Sequence, residues 1–186
     1  MNFDILFFAN TCSAIACIIM VAIGFLKKKE QIVIGQCFQL GFLGAGNFLF
    51  GAVSGGIGNT LGVIRNLILP KSKKPMMWKI IFIAVQIILS LFFYKSTIEG
   101  YSGPNNVAFL KLIYWIPVLY TIILTAVLDT KNVNVFRVAI IVAQSMFCFF
   151  DGFYGNWFAF LANILTVLSN GYSIYADSKA AKKAKA

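Results

Sequence analysis

The sequence contains no histidine, only six acidic residues and only four prolines in 186 positions. Without histidine, neither a Ser-His nor a Cys-His pair can activate a nucleophile. No two carboxylates share a helix face, and the phosphate-binding pattern G-x-x-x-x-G-K-[ST] does not occur. These absences argue against catalysis, and we expect that the protein is not an enzyme.

The four cysteines follow no pairing pattern. They lie inside apolar runs and form no C-x-x-C motif, and buried cysteine usually behaves as a small hydrophobic residue. Because no histidine accompanies them, we expect no disulfide framework, no metal site and no cofactor. The four residues are Cys12, Cys17, Cys37 and Cys148.

Charged residues are also scarce, at 12% of the chain against 60% hydrophobic residues. Soluble domains carry roughly twice that charged fraction. The apolar residues are grouped in repeated runs of near-spanning length, which predicts an all-α membrane protein that crosses the bilayer several times. A β-barrel would instead show short segments of alternating polarity, and the sequence has none.

The net charge of +10 does not indicate a nucleic-acid partner. The lysines sit between the apolar runs, where they set membrane topology, and are not grouped on one face of a folded domain. We therefore predict the lipid bilayer as the partner. The basic carboxyl-terminal residues 179–185 can also contact anionic lipid headgroups.

Seven apolar runs predict seven transmembrane helices. The fifth contains Pro117. Tight turns are expected between the second and third runs, in the stretch from Gly51 to Gly56, and between the sixth and seventh, at Asp151-Gly152 and Gly155-Asn156, because glycine accepts backbone angles that other residues resist. The runs cover residues 5–26, 32–50, 53–69, 77–94, 107–128, 135–150 and 157–175.

The positions of lysine and arginine predict the orientation of these helices. Positive charge follows the first run, whereas a signal peptide would carry it before the apolar core, so the first run is expected to be an uncleaved helix. Thirteen basic residues fall on one side of the membrane by this count, and only Lys95 and Lys111 on the other. The positive-inside rule then places the amino terminus outside and the carboxyl terminus inside.

An ungapped shift of 104 residues aligns the first three runs with the last three and leaves the fourth unmatched. Since three helices plus one separate the copies, both enter the membrane in the same direction, as parallel repeats do. The expected segments are a first repeat (1–75), a linker helix with an outer loop (76–106), a second repeat (107–177) and a basic cytoplasmic tail (178–186). The shift places Asn47 on Asp151, Gly51 on Gly155, Asn59 on Asn163 and Asn66 on Asn170.

This three-plus-one-plus-three layout resembles the PQ-loop, SWEET and PnuC superfamily and, more narrowly, the YgjV-type bacterial inner membrane proteins. The residues that carry the resemblance are Phe48 with Gly51, the segment 62–65, and Asn170-Gly171 with Ile174. The narrower family implies a multi-pass protein of the bacterial inner membrane. The wider superfamily implies passive or exchange transport of small solutes, and includes some receptors. SWEET-like proteins have hinge prolines in several helices and the PQ-loop group has a Pro-Gln pair, whereas here only Pro117 lies inside a predicted helix and no glutamine follows a proline.

Two pairs of asparagines are the main candidates for a solute site. Asn59 and Asn66 lie seven residues apart, which places them on one helix face about 10 Å apart, and Asn163 and Asn170 repeat this spacing. Amides both donate and accept hydrogen bonds without the cost of a buried charge, which suits a neutral polar solute. The alternative is that each asparagine only forms an interhelical hydrogen bond that stabilises helix packing.

Five further residues are secondary candidates. Arg65 is expected to extend its guanidinium to the membrane interface; the alternative is a bond to an anionic group on a substrate or to a partner chain. Asp151, with Asn47 opposite it in the repeat, is expected to be a turn or cap residue, and otherwise a cation or proton-coupling site. Tyr154 and Trp115 could stack on a ring-bearing ligand, although aromatics at helix ends usually anchor in the interface.

The resulting hypothesis is a facilitator of a small polar solute, with its site between the third and seventh runs. The alternative is a membrane sensor, receptor or scaffold of the same fold that does not transport. Association into a homo-oligomer is compatible with either. The sequence does not identify the solute.

Overall fold

The computed structural model describes residues 3–101 and 106–183. Part of the predicted outer loop (102–105) and the last three residues of the predicted tail lie outside the described residues. Every regular element in the described ranges is helical, which confirms the all-α prediction. The helices are α1 (Phe3–Gly24), α2 (Lys29–Leu49), α3 (Val53–Ile68), α4 (Pro75–Glu99), α5 (Val107–Ile113), α6 (Ile116–Val127), α7 (Val133–Tyr154) and α8 (Trp157–Lys183), with a 3-10 turn at Leu69–Lys71.

Within the described ranges, six segments are long and apolar enough to cross a membrane: α1, α2, α4, α5 with α6, α7 and α8. Helix α3 has only 16 residues, which corresponds to about 24 Å at 1.5 Å per residue, short of a typical ~20-residue span. The predicted seven runs therefore all form helices, and six of them have spanning length.

The fifth predicted run is broken where proline requires it. Helix α5 ends at Ile113, and α6 begins at Ile116 with Pro117 in its first turn. Proline lacks the backbone N–H that would continue a helix, but it fits the first turn, where that N–H has no intrahelical partner. The two short helices together cover Val107–Val127, the length of one span.

The helices pack in a ring. Helix α1 lies between α2 and α8, α2 packs on α3, α3 on α6, α6 on α7, and α7 on α8. Helix α4 packs on α3 and α6 and buries only Phe82, Gln86 and Ser90. Large apolar side chains point outward, such as Ile18 and Phe92, which are 72% and 77% exposed. An apolar exterior around a more polar interior is the arrangement expected in lipid.

The two tight turns have the same geometry. Gly51 and Gly155 have φ of +75° and +71°, and they are the positive-φ residues of the described chain. Gly155 caps α7, whose helix continues through Asp151 and Gly152, so the second turn is confined to Gly155 and Asn156. The predicted turn between Gly51 and Gly56 is likewise shorter than expected, because α3 begins at Val53.

The lysines and arginines near the predicted inner loops meet at one end of the bundle, called here the basic end. The Lys29 ammonium donates to the Thr130 carbonyl at 2.5 Å, and Lys79 forms an ion pair with Asp129 at 2.7 Å. Arg137 donates to the Leu26 carbonyl and to the Asp177 carboxylate. The α1–α2 connection, the α6–α7 connection and the last part of α8 therefore lie together.

Candidate functional site

The four predicted asparagines are all buried. Asn59 and Asn66 on α3 are 1% and 3% exposed, and Asn163 and Asn170 on α8 are each 1% exposed. Their seven-residue spacing on helices therefore does direct them inward. Buried amides need hydrogen-bond partners, so the partners of each decide what it can do.

Three of the four have partners of their own in the bundle. Asn66 donates from Nδ2 to Gln36 Oε1 at 3.3 Å, Asn163 donates to Asp151 Oδ2 at 2.7 Å, and Asn170 donates to the Thr166 carbonyl of its own helix at 2.9 Å. The Nδ2 of Asn59 has no partner in the described chain. No hydrogen bond in those ranges joins an asparagine of α3 to one of α8.

Arg65 does not anchor in the interface, and that expectation is wrong. Its side chain is 1% exposed and reaches sideways to α6, where Nη1 lies 3.1 Å from Thr125 Oγ1 and 3.5 Å from the Thr121 carbonyl oxygen. Nε and Nη2 both donate to Asn66 Oδ1, at 3.2 and 3.1 Å. The acceptors offered by α6 hold the guanidinium inside the bundle.

Asp151 is not a capping side chain either. Its backbone carbonyl accepts from Asn156 in the turn, but its carboxylate is buried and bonds across to Asn163 on α8. Asn47, its equivalent in the proposed repeat, is also buried, and Asn47 Nδ2 has no partner in the described ranges. Both residues therefore face the interior near the glycine turns.

The two aromatic candidates belong to separate clusters. Tyr154 packs against Phe150, with ring centroids 5.0 Å apart, and its hydroxyl is buried without a partner in the described chain. Trp115 stacks on Tyr94 at 5.9 Å beside the break between α5 and α6. The two rings are therefore not brought together around one site.

Other buried polar residues enlarge this interior beyond the predicted set. They include Gln36 and Gln39 on α2, three residues apart, and Thr121 and Thr125 on α6, four residues apart. The sequence signal that could have identified these residues is the spacing of three or four between polar residues inside an apolar run. Side-chain polar atoms without a partner in the described ranges include Ser13 Oγ, Gln39 Nε2, Asn47 Nδ2, Ser54 Oγ, Asn59 Nδ2, Thr121 Oγ1, Asn156 Nδ2 and Thr166 Oγ1.

A cavity of about 480 Å³ opens at the basic end and reaches this polar interior at Asn66. Lys29, Glu30, Lys71 and Asp129 are among the residues that line it. Its volume lies within the range of about 300–1,000 Å³ that is usual for small-molecule pockets. Across the described residues, no three of Cys, Asp and Glu come together as a metal-ligand group.

Residues 7–181 match the family Imp-YgjV, described as a bacterial inner membrane protein. The chain belongs to that family. Together with the six apolar helices of spanning length, membership in Imp-YgjV identifies a multi-pass protein of the bacterial inner membrane, as the sequence predicted. Neither a curated protein nor a solved structure matches the chain significantly.

Proposed function

We propose that this Imp-YgjV protein is a facilitator that moves a small polar solute across the inner membrane. The observation that carries the proposal is the cavity that enters from the basic end and reaches Asn66. Asn59 precedes Asn66 by seven residues on α3, which places it about 10 Å farther from the basic end. Its buried Nδ2 has no partner in the described chain. A pocket followed by unused hydrogen-bond donors is what a polar solute would require.

The buried polar atoms are difficult to explain as packing alone. An unpaired polar group away from water costs about 1–3 kcal/mol, and the bilayer core supplies no water to satisfy it. Packing asparagines, the alternative, would bond across helices, as Asn163 does with Asp151. Asn59 Nδ2 does not. Of the four asparagines proposed to line the solute site, Asn59 and Asn66 on α3 and Asn163 and Asn170 on α8, it is therefore Asn59 whose unpartnered amide supports the proposal.

The proposed duplication is supported by equivalent helix contacts. A shift of 104 residues relates α1, α2 and α3 to α5 with α6, α7 and α8. Under this shift the contact of α1 with α8 becomes that of α6 with α3, and both contacts exist. The contact of α2 with α3 likewise becomes that of α7 with α8. Two parallel three-helix repeats would then surround the proposed path, as in the SWEET-like arrangement.

The proposed orientation places the basic end in the cytoplasm and the amino terminus outside. The lysines and arginines gathered at this end favour the cytoplasmic side. Counting α3, which leads from the Gly51 turn to the Lys71 end, the chain would cross seven times. The cavity would then be open toward the cytoplasm.

The test starts from purified protein screened for thermal stabilisation by a panel of polar metabolites. Each compound that stabilises the protein is then tested for flux into proteoliposomes. The double variant Asn59→Leu with Asn163→Leu should lose ligand stabilisation and flux. Asn10→Leu is the matched control, because Asn10 donates only to the Leu6 carbonyl of its own helix.

Each outcome of this test separates the hypotheses. Loss of flux in the double variant with retention in Asn10→Leu supports a site at the paired asparagines. Unchanged binding in the double variant would mean that the site lies elsewhere. Binding without flux for every compound would contradict a facilitator and favour a sensor or receptor of the same fold.

A further inference from the structure

Arg65 has a buried guanidinium with only neutral partners. At 1% exposure it has essentially no contact with solvent, and its acceptors are one amide oxygen, one hydroxyl and one backbone carbonyl. A buried charge without a counter-charge is strongly unfavourable, and buried charges are usually paired. This arrangement therefore needs an explanation.

The acidic residues of the chain do not supply the counter-charge. In the described ranges, the ion pairs of Asp129, Glu99 and Asp177 are made with Lys79, Lys95 and Arg137. Asp151 bonds to Asn163 in the other half of the bundle. No described carboxylate bonds to Arg65.

Arg65 is connected to the cavity by its neighbour Asn66. Asn66 lines the cavity, and its single Oδ1 accepts from both Nε and Nη2 of Arg65. That edge of the guanidinium is the one that binds carboxylate or phosphate through two parallel bonds. Asn66 Oδ1 thus occupies the place of an anionic oxygen, and rotation of the amide would free both donors.

The mouth of the cavity carries both signs of charge. Lys29 and Lys71 line it together with Glu30 and Asp129. The Asp129 charge is offset by its ion pair with Lys79. Two lysines and one glutamate then remain, so the net charge at the mouth is positive and favours an anion over a cation.

We propose that Arg65 is the anion-binding group of this site, so that the solute is a small organic anion with one carboxylate or phosphate group. The inference rests on the proposed function and names its substrate class. The anion would displace Asn66 Oδ1 from the guanidinium and supply the missing counter-charge. Arg65 suits this role because its planar fork stays charged and binds oxyanions in a fixed geometry.

The first experiment measures binding by calorimetry to the purified full-length protein. The probes are sodium acetate, sodium lactate and inorganic phosphate, with acetamide and glycerol as uncharged comparisons. At least one anion should bind, and the uncharged compounds should not. Comparison of acetate and lactate with phosphate distinguishes a carboxylate from a phosphate ligand. Equal binding of acetamide and acetate would overturn the proposal.

Three variants separate binding from folding. Arg65→Gln should weaken anion binding at least tenfold, and Arg65→Lys should retain part of it, because lysine keeps the charge but loses the fork. Arg137→Gln is the matched control, since Arg137 is also buried but is paired with Asp177; it should leave anion binding unchanged. Wild-type anion affinity in Arg65→Gln would refute the role of Arg65.

Asn66→Asp keeps the test decisive even if Arg65→Gln does not fold. It places a carboxylate where the anion is proposed to bind, so the protein should melt at the wild-type temperature or higher while anion binding is lost. Wild-type anion binding in Asn66→Asp would refute the proposal. Anion binding without flux would contradict the facilitator but not this inference. Flux of uncharged solutes that does not depend on Arg65 would contradict only the inference.

Discussion

Gly51 and Gly155 adopt the same left-handed backbone 104 residues apart, with φ of +75° and +71°. The bonds around them also correspond. The Ala52 N–H donates to the Asn47 carbonyl at 2.8 Å, and the Asn156 N–H donates to the Asp151 carbonyl at 2.9 Å. Each bond closes the end of a long helix in the way that glycine-capped helices end. The α2–α3 and α7–α8 hairpins thus have turns of the same geometry.

Replacing either turn glycine with alanine should destabilise the protein by a similar amount. A Cβ at Gly51 or at Gly155 would meet nothing within 4 Å, so the cost is purely conformational, about 1–2 kcal/mol for an L-residue in the left-handed region. We expect comparable decreases in melting temperature for Gly51→Ala and Gly155→Ala in detergent.

Gly41→Ala is the control for these two variants. Gly41 lies inside α2, and a Cβ there would also meet nothing within 4 Å. Alanine is a better helix former than glycine, so this variant should be as stable as the wild type or more stable. A stable Gly155→Ala beside an unstable Gly51→Ala would show that the two turns are not equivalent.

The glycines of α3 should differ in their tolerance of alanine. A Cβ at Gly55 would lie 2.7 Å from the Phe150 ring and from Asn47 Nδ2, and both neighbours are buried and cannot move aside. We expect Gly55→Ala to cost about 1–3 kcal/mol, as overpacking does. A Cβ at Gly56 would lie 2.7 Å from the Phe48 ring, which is half exposed and can rotate away.

Thermal melting of the two variants in detergent measures this difference. Gly44→Ala serves as the reference, because a Cβ there would make only ordinary contacts of 3.5 Å or more. Gly55→Ala should melt lowest, with Gly56→Ala between it and the reference. Equal melting temperatures for all three would mean that the packing around Phe150 is looser than the structure indicates.

The helices of this protein were more predictable from sequence than its contacts. The apolar runs located the helical segments of the described chain, with α5 and α6 as one run, because the length of a span is set by the bilayer. The sequence did not show that α7 continues through Asp151 and Gly152, since a polar residue followed by glycine is also a turn signal. It did not show the break before Pro117 either, although the proline itself was visible.

The candidate site illustrates the limit of periodicity. The spacing of Asn59 and Asn66 correctly directed both inward. The burial of Arg65 depends on Thr121 and Thr125, which lie 56 and 60 residues away on α6. Periodicity reports which face of a helix is polar, but it does not identify the neighbouring helix. An arginine near a helix end was therefore assigned to the interface.

Substituting Asp151 and substituting Asn163, the two partners of one hydrogen bond, should reduce stability by different amounts. Asn163→Leu leaves a buried carboxyl without its partner, which should cost about 1–3 kcal/mol. Asp151→Asn keeps an acceptor for Asn163 and places in α7 the residue found at Asn47, the aligned position of α2. We expect it to cost less than about 1 kcal/mol.

Thermal melting of Asp151→Leu, of Asn163→Leu and of the double variant that carries both substitutions completes a double-variant cycle. The double variant should be more stable than the two single losses predict, because it leaves neither polar group unpaired. Additive losses would show that the bond contributes nothing to stability.

The Lys79–Asp129 ion pair at the basic end should make stability depend weakly on pH. The hydrogen bond from Lys79 lowers the pKa of Asp129 below its usual range. The stabilisation is therefore present above the ordinary aspartate pKa of about 3.9 and is lost as the pH falls through the lower value in the folded protein. The Asp129 side chain is 44% exposed, so the effect should be below about 1 kcal/mol.

Asp129→Asn tests this dependence by unfolding measurements between pH 7 and pH 3. The variant should be slightly less stable than the wild type at pH 7, and the difference should shrink toward pH 3. Glu99→Gln is the control, because its pair with Lys95 is long, at 3.9 Å, and solvent-exposed; it should have no measurable effect. A constant difference for Asp129→Asn across the pH range would exclude the ion pair as its cause.

The proposed topology predicts which loops a membrane-impermeant thiol reagent reaches in intact cells. The four native cysteines should first be replaced, since all are only partly buried. Asn106→Cys lies in an exposed position at the end opposite the basic end and should be labelled from outside. Ser72→Cys, beside the cavity at the basic end, should be labelled only after the membrane is permeabilised, because positive charge favours the cytoplasm. Labelling of Ser72→Cys in intact cells would show that the orientation is the opposite of the proposed one, with the cavity mouth outside.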